Sequence, residues 1–402
     1  MIELLKILLV FFVVVAANRA LKNLPAAVLL AAVSAAVLYN LEPARAAIVA
    51  AGALVSPMTV TTLLSFYCVT FLQRMMESRG RLDLAQQALS GLFNNRRVNA
   101  SLAPVLVGML PSAGAVTISG AIVDKTAENH LSREEKTFVA SFYRHIPEAI
   151  LPTYSTVLIG VQLAGQSMGL YLLLTLPLVL LLAGLGYAFH LRKIPKDTGL
   201  SPSRDKRKDA LDLFRSFWTI LLTVILIITL RLPVYAAVAA AAILNVVISR
   251  FRPRELLPML AAAFELRLVL TTLSIMVFKD IIIETGVLHT LPAILSGLPI
   301  PVFLVFFLIF FCGAIVSGQS SINVIGLPLA FATIPGAGAP LLVYLMAAGY
   351  AAMQLSPTHI CLAIVTEYFH VDMAALLRKT IPLFAAFCLI LNGYYLLLLA
   401  WL

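Results

Sequence analysis

The chain has 402 residues, of which 61% are hydrophobic and only 12% charged, more apolar surface than a soluble fold of this length can cover. A soluble globular protein is therefore excluded, and several apolar runs approach the twenty residues that span a bilayer. The formal charge of +10 invites a nucleic-acid partner, but the basic residues are dispersed over short loops, and no nucleic-acid role is read from them.

Taken in order, the first apolar span runs near residues 4–22. It lacks the basic region that precedes a cleaved signal peptide and has a counterpart later in the chain, so it is expected to be retained. Further spans are predicted near 25–40 and 57–79, with a short helix near 44–55. A re-entrant hairpin is expected over 88–124, followed by spans near 138–162 and 168–190. The polar, basic stretch from Arg192 to Asp209 reads as a loop. Beyond it come spans near 211–231, 233–250 and 265–286, a second hairpin near 299–334, and spans near 339–366 and 380–401. The expected fold is an all-α polytopic membrane protein with about 10 transmembrane helices and two re-entrant helical hairpins.

The two halves of that series match because the chain repeats itself. Leu24-Pro25 recurs as Leu232-Pro233, and Thr61-Thr62-Leu63 as Thr271-Thr272-Leu273. Leu89-Ser90-Gly91-Leu92 recurs as Leu295-Ser296-Gly297-Leu298, and Pro152-Thr153 as Pro357-Thr358. Any one match is chance-level in so apolar a chain, whereas an ordered series at a nearly constant offset is not. It divides the chain into a first repeat, 1–190, a basic cytoplasmic linker, 191–210, and a second repeat, 211–402. Each half crosses an odd number of times, so the halves must be inverted relative to one another. With both termini extracytoplasmic, most of the 29 lysines and arginines fall in cytoplasmic loops, as the positive-inside rule requires of a multi-pass protein of the cell (inner) membrane.

Two stretches break the apolar pattern. Leu110 to Asp124 and Val316 to Pro328 crowd hydroxyls, amides and glycines into segments expected at membrane depth. Irregular backbone there must line a cavity or pack on protein, and paired breaks in two halves point to a midplane site. The candidate binding residues are Ser112, Gly114 and Thr117 in the first stretch and Ser317, Gly318, Gln319, Ser320 and Asn323 in the second. Thr153, Thr358 and His359 join them from helices that Pro152 and Pro357 are expected to break. Exposed helix amino termini there would offer N–H groups to an anion, and unwound carbonyls would hold a small cation.

Ionisable residues within spans are functional candidates by default. Lys279 and Asp280 are adjacent, so they point about 100 degrees apart on a helix and need not pair. Arg144 and Glu148 are four apart and are expected to form a structural salt bridge at the cytoplasmic edge. His145 and His359 are candidate proton carriers, because histidine titrates near neutral pH. The four cysteines, Cys68, Cys312, Cys361 and Cys388, lie singly in apolar runs with no metal spacing, and read as small buried hydrophobes.

Arg144-His145 with Glu148 and Pro152, Phe278-Lys279-Asp280, and above all Leu355-Ser-Pro-Thr-His-Ile-Cys-Leu362 followed by Glu367-Tyr368-Phe369 resemble domain-of-unknown-function family 401, a family of integral membrane proteins. The resemblance runs over most of the chain. It implies kinship with the ion transporter superfamily, whose dicarboxylate, citrate and gluconate carriers have two inverted repeats, each with a hairpin and a broken helix. Dicarboxylate members carry Ser-Asn-Thr at the hairpin tips, where this chain has Ser112-Ala113-Gly114 and Ser317-Gly318-Gln319, so neither sodium coupling nor a dicarboxylate carries over directly.

No metalloprotease HExxH, GxSxG elbow or Walker loop is present, so the chain is read as a transporter rather than an enzyme or primary pump. The expectation is a symporter-type secondary active transporter of a small anionic, carboxylate-type solute, driven by Na⁺ or H⁺ through elevator-like alternating access. No cofactor or structural metal is expected, the lipid bilayer is its surroundings, and a homodimer is the assembly considered. The alternatives are a translocase for lipids or lipid headgroups, or a membrane enzyme using the same cavity.

Overall fold

The computed structural model describes residues 2–93, 95–109, 114–197, 205–287, 299–357 and 359–401, and its regular structure is helical throughout those residues. The first half gives α1 (Ile2–Leu21), α2 (Leu24–Leu38), α3 (Pro43–Val55), α4 (Pro57–Ser78), α5 (Arg81–Phe93), α6 (Arg96–Gly108), α7 (Gly114–Ala127), α8 (Arg133–His145), α9 (Ser155–Leu163) and α10 (Met168–Phe189). The second gives α11 (Lys206–Thr229), α12 (Val234–Ile248), α13 (Pro253–Ala262), α14 (Leu266–Glu284), α15 (Val302–Ser317), α16 (Gln319–Thr333), α17 (Gly338–Met353), α18 (Ile360–Phe369) and α19 (Met373–Trp401).

The helix starts are written in the sequence. Asn23 and Ser56 accept hydrogen bonds from backbone amides at the heads of α2 and α4, each with a proline in the first turn. Ser132 and Glu135 close a reciprocal capping box on α8. Asn95 caps α6, and so separates it from α5. That cap corrects the hairpin expected over 88–124: its two arms are α6 and α7, while 81–93 is a helix of its own that packs on α11.

In the second hairpin, α15 and α16 turn back on one another at Gly318, whose φ of +84° and ψ of 156° suit glycine alone. Each hairpin is followed by a broken helix. After α8 come a 3-10 turn, Ile146–Ala149, and an extended link to α9, where Pro147 and Pro152 cannot donate to the preceding turn. After α17, residues 354–357 leave the helix, and α18 begins after His359.

These breaks shorten the helices. Among the described residues, α10, α11 and α19 are long and apolar enough to cross a membrane alone, and α3 with α4 would make a fourth span bent by 41°. The remaining apolar helices, α2, α12, α15, α17 and α18, have 10–17 residues. Large apolar side chains such as Leu180, Ile225, Ile243 and Leu389 stand exposed on several of these helices, as the surface of a membrane protein requires.

The packing alternates between the two halves of the chain. α2 lies on α14 and α4 on α12. α7 packs on α18, and α16 on α9, so each hairpin's second arm meets the broken helix of the other half. Ion pairs reinforce the alternation: Arg45 meets Glu284 at 2.6 Å, and Arg79 meets Glu255 at 3.2 Å.

Candidate functional site

The first broken helix carries a dense set of buried polar groups. α8 brings Arg144 and His145 to its last turn, with 4% and 0% of their surfaces exposed, and the 3-10 turn adds Glu148. Arg144 Nη1 and His145 Nε2 each lie 3.9 Å from Glu148 Oε2. The end of α6 presses on this turn so closely that a Cβ at Gly108 would strike the Arg144 carbonyl. Tyr154, just before α9, donates its hydroxyl proton to the Gly108 carbonyl and fastens the far side of the break to α6.

The second broken helix delivers its own residues to the same place. His359 packs edge to face on His145, with ring centroids 4.9 Å apart. Cys361 lies two residues on, its Sγ 3.7 Å from Arg144 Nη1. The Ser356 hydroxyl donates to the Ile315 carbonyl at 2.6 Å, tying this break to α15. One face of the site therefore holds a guanidinium, a carboxylate, two imidazoles and a thiol, drawn from both halves.

A second, uncharged constellation surrounds the tip of the α15–α16 hairpin. Gln319 donates to the Met346 carbonyl on α17 at 2.9 Å. Asn323 donates to the Thr156 carbonyl at 3.3 Å and reaches Met346 Sδ at 3.2 Å. Thr156 and Ser320 share a hydroxyl contact of 3.3 Å. The Asn323 Oδ1 is buried without a protein partner, and such an acceptor is costly unless something else donates to it.

The residues foreseen from sequence are thus only partly assembled. Gly318, Gln319, Ser320 and Asn323 meet at one tip, and Ser317 beside them donates to the Gly313 carbonyl of its own helix at 2.9 Å. Gly114 begins α7, and Thr117 stands exposed on that helix, away from both constellations' contacts. Thr153 turns toward a small cavity lined also by Gln73, Met76 and Thr223, and its buried hydroxyl oxygen has no protein partner there. Ser112 and Thr358 lie outside the described residues.

Four further expectations change. Lys279 and Asp280 pair at 2.9 Å after all, adjacent as they are in the chain. Lys279 also reaches Met58 Sδ at 3.5 Å, so both serve the α4–α14 contact rather than either constellation. The Arg144–Glu148 pair forms, but within the buried cluster. Cys312 is exposed, and Cys361 stands among polar groups rather than as a plain hydrophobe. Tyr154, Thr156 and Cys361 escaped sequence reasoning, since nothing local marks a tyrosine or cysteine whose partner lies far along the chain.

A family profile described as "Protein of unknown function (DUF401)" matches residues 4–399, and the chain belongs to that family. No match was found among the curated proteins.

Proposed function

We propose that this protein is a secondary active transporter that carries a small carboxylate-type anion across the cell membrane, coupled to Na⁺ or H⁺. The observation that carries the reading is the crossing of two broken helices, from opposite halves of the chain, around Arg144 and beside the Gly318 hairpin tip. Interrupted helices with buried polar groups at membrane depth are the means by which transporters build a binding site. The exchanged packing of α2 on α14 with α4 on α12, and of α7 on α18 with α16 on α9, supports two inverted repeats, 1–190 and 211–402, joined by a cytoplasmic linker.

The sign of the solute follows from the polar groups. Arg144 supplies a guanidinium of the kind that pairs with carboxylates, as it does with Glu148 at 3.9 Å, and the head of α16 at Gln319 and Ser320 adds a helix amino terminus. The open Asn323 Oδ1 is an acceptor suited to the coupling cation. In this reading the hairpins and broken helices move together against α2, α4, α12 and α14, and both termini face outward.

A groove of about 270 Å³ between α4 and α14 is lined by Leu63, Leu64, Tyr67, Phe264 and Leu268 and reaches neither constellation, so it offers no headgroup path for a lipid translocase. Uptake of radiolabelled small carboxylates into proteoliposomes, with imposed sodium or proton gradients, tests the proposal. Gradient-driven carboxylate uptake is the expected result. Uptake of organic cations alone, or no flux of any carboxylate under either gradient, would overturn it.

A further inference from the structure

We infer that His145, His359 and Cys361 form a binding site for a transition-metal dication of the zinc or cobalt(II) class. The donor atoms of the three side chains lie within 4.8 Å of one another. Metal–ligand distances of about 2.0–2.3 Å place neighbouring donors of a tetrahedral site roughly 3.3–3.7 Å apart. The set has only to tighten by about an ångström to close on an ion. Two imidazoles and a thiolate are the ligands such an ion prefers over the oxygen-seeking magnesium or calcium.

The surrounding groups orient the ligands. His145 Nδ1 lies 2.6 Å from the Ser141 carbonyl, so the N–H there donates and the lone pair is left on Nε2. His359 Nδ1 faces the Met353 carbonyl at 3.3 Å, which holds its ring in the same tautomer. A backbone carbonyl on the outer nitrogen is the usual support of a metal-bound histidine. His145 Nε2 is buried and has no hydrogen-bond partner, with Glu148 Oε2 3.9 Å away. A fully buried imidazole nitrogen left open beside a second imidazole and a thiol is a ligand in waiting.

Binding is balanced as follows. Both imidazoles coordinate neutral through Nε2, Cys361 loses its S–H proton as the sulfur–metal bond forms, and that proton passes to solvent. The three protein ligands leave a fourth position open, as in metal sites that exchange a bound group. Glu148, 3.9 Å from His145 Nε2, would offset part of the ion's charge, and Arg144 Nη1, 3.7 Å from Cys361 Sγ, would stabilise the thiolate. The ligands come from α8 and from the start of α18, so the ion would clasp the two broken helices together.

Titration of the purified full-length protein in detergent with Co²⁺ tests this without any solute or gradient. One equivalent should bind, with an intense near-ultraviolet sulfur-to-cobalt charge-transfer band, release of one proton, and bleaching of the band by Zn²⁺. Cys361→Ser should abolish the band, His359→Ala should weaken binding at least tenfold, and Cys68→Ser and Cys388→Ser should leave it unchanged. Should Cys361→Ser fail to fold, alkylation of Cys361 in the wild-type protein decides: one equivalent of Zn²⁺ should protect it. No charge-transfer band, a band that survives Cys361→Ser, or alkylation indifferent to zinc would overturn the site. Carboxylate uptake is read separately, so either proposal can fail while the other stands.

Discussion

His145 and His359 meet edge to face, their ring centroids 4.9 Å apart and their planes inclined at 68°, although they come from opposite halves of the chain. Each sits at a helix end, His145 at the last turn of α8 and His359 at the cap where α18 begins. Two helix ends can approach this closely only because neither continues, and proline accounts for both stops. The breaks therefore create the polar interior and at the same time join the halves. The crossing point is where a small structural change would be felt on both sides.

Substitutions at two glycines separate close packing from helix propensity. Gly108 lies against the Arg144 carbonyl, so Gly108→Ala must displace α6 or α8. Such overpacking costs about 1–3 kcal/mol, and a lowered Tm in detergent is expected. Gly52, in the exposed part of α3, has nothing within 4 Å of an added Cβ. Gly52→Ala should leave Tm unchanged or raise it, because alanine is favoured over glycine in helices by about 0.5–1 kcal/mol. An equal fall in both variants would show that the α6–α8 contact is looser than described.

Much of this arrangement is legible in the sequence, and the rest is hidden for identifiable reasons. Pro152, Pro357 and Gly318 announce the two breaks and the hairpin turn, since their backbone restrictions are local. The polar character of Gln319, Ser320 and Asn323 stands out against the apolar run from Val302. The separation of α5 from α6 was obscured because one cap, Asn95, interrupts an otherwise helix-compatible stretch. Contacts such as Tyr154 to Gly108 or Arg144 to Cys361 depend on how distant segments cross, which no periodicity encodes. Lys279 is the converse case: its charge within a span is plain in the sequence, whereas its pairing with the adjacent Asp280 at 2.9 Å is not.

Acid should destabilise the charged end of α10, outside the apolar span. Burial pushes the His190 imidazole down to about 4 from its ordinary 6.5, against the pull of Glu135 at 4.0 Å. A base with a depressed folded-state value contributes stability that is present above 6.5 and lost as pH falls toward 4. Burial would raise the Glu135 carboxyl, but hydrogen bonds from Lys193 and the Ser132 amide, with the charges of Lys193 and Lys379, hold it below the usual range. Its contribution is likewise lost on acidification, so the two add. From pH 7 to 5 the His190 part alone amounts to roughly 2 kcal/mol. Tm should fall over that range, and fall less in His190→Gln; a slope unaltered by that change would remove His190 as the cause.

The proposed topology is tested by placing single thiols in the loops. In a background lacking the four native cysteines, Ser203→Cys should resist an impermeant maleimide added outside intact cells, and Ser296→Cys should react. The expectation rests on the basic linker, Arg192 to Asp209, remaining cytoplasmic. Labelling of Ser203→Cys from outside would reverse the orientation of both halves.

Asn323 offers the sharpest separation of function from stability. Its amide nitrogen is held by the Thr156 carbonyl and Met346 Sδ, yet its Oδ1 is buried with no protein partner. A buried unsatisfied acceptor costs on the order of 1–3 kcal/mol, which a residue serving packing alone has no reason to bear. Asn323→Leu removes that acceptor at similar volume, so Tm should stay level or rise. If Oδ1 coordinates the coupling cation, uptake should fall roughly tenfold or more, since a lost interaction of about 1.4 kcal/mol is a factor of ten. Asn323→Asp, which keeps the acceptor but adds charge, should retain Na⁺-driven uptake only if the group at Oδ1 is a cation. A variant Asn323→Leu that transports normally but melts earlier would make Asn323 a packing residue and move the binding site away from the Gly318 tip.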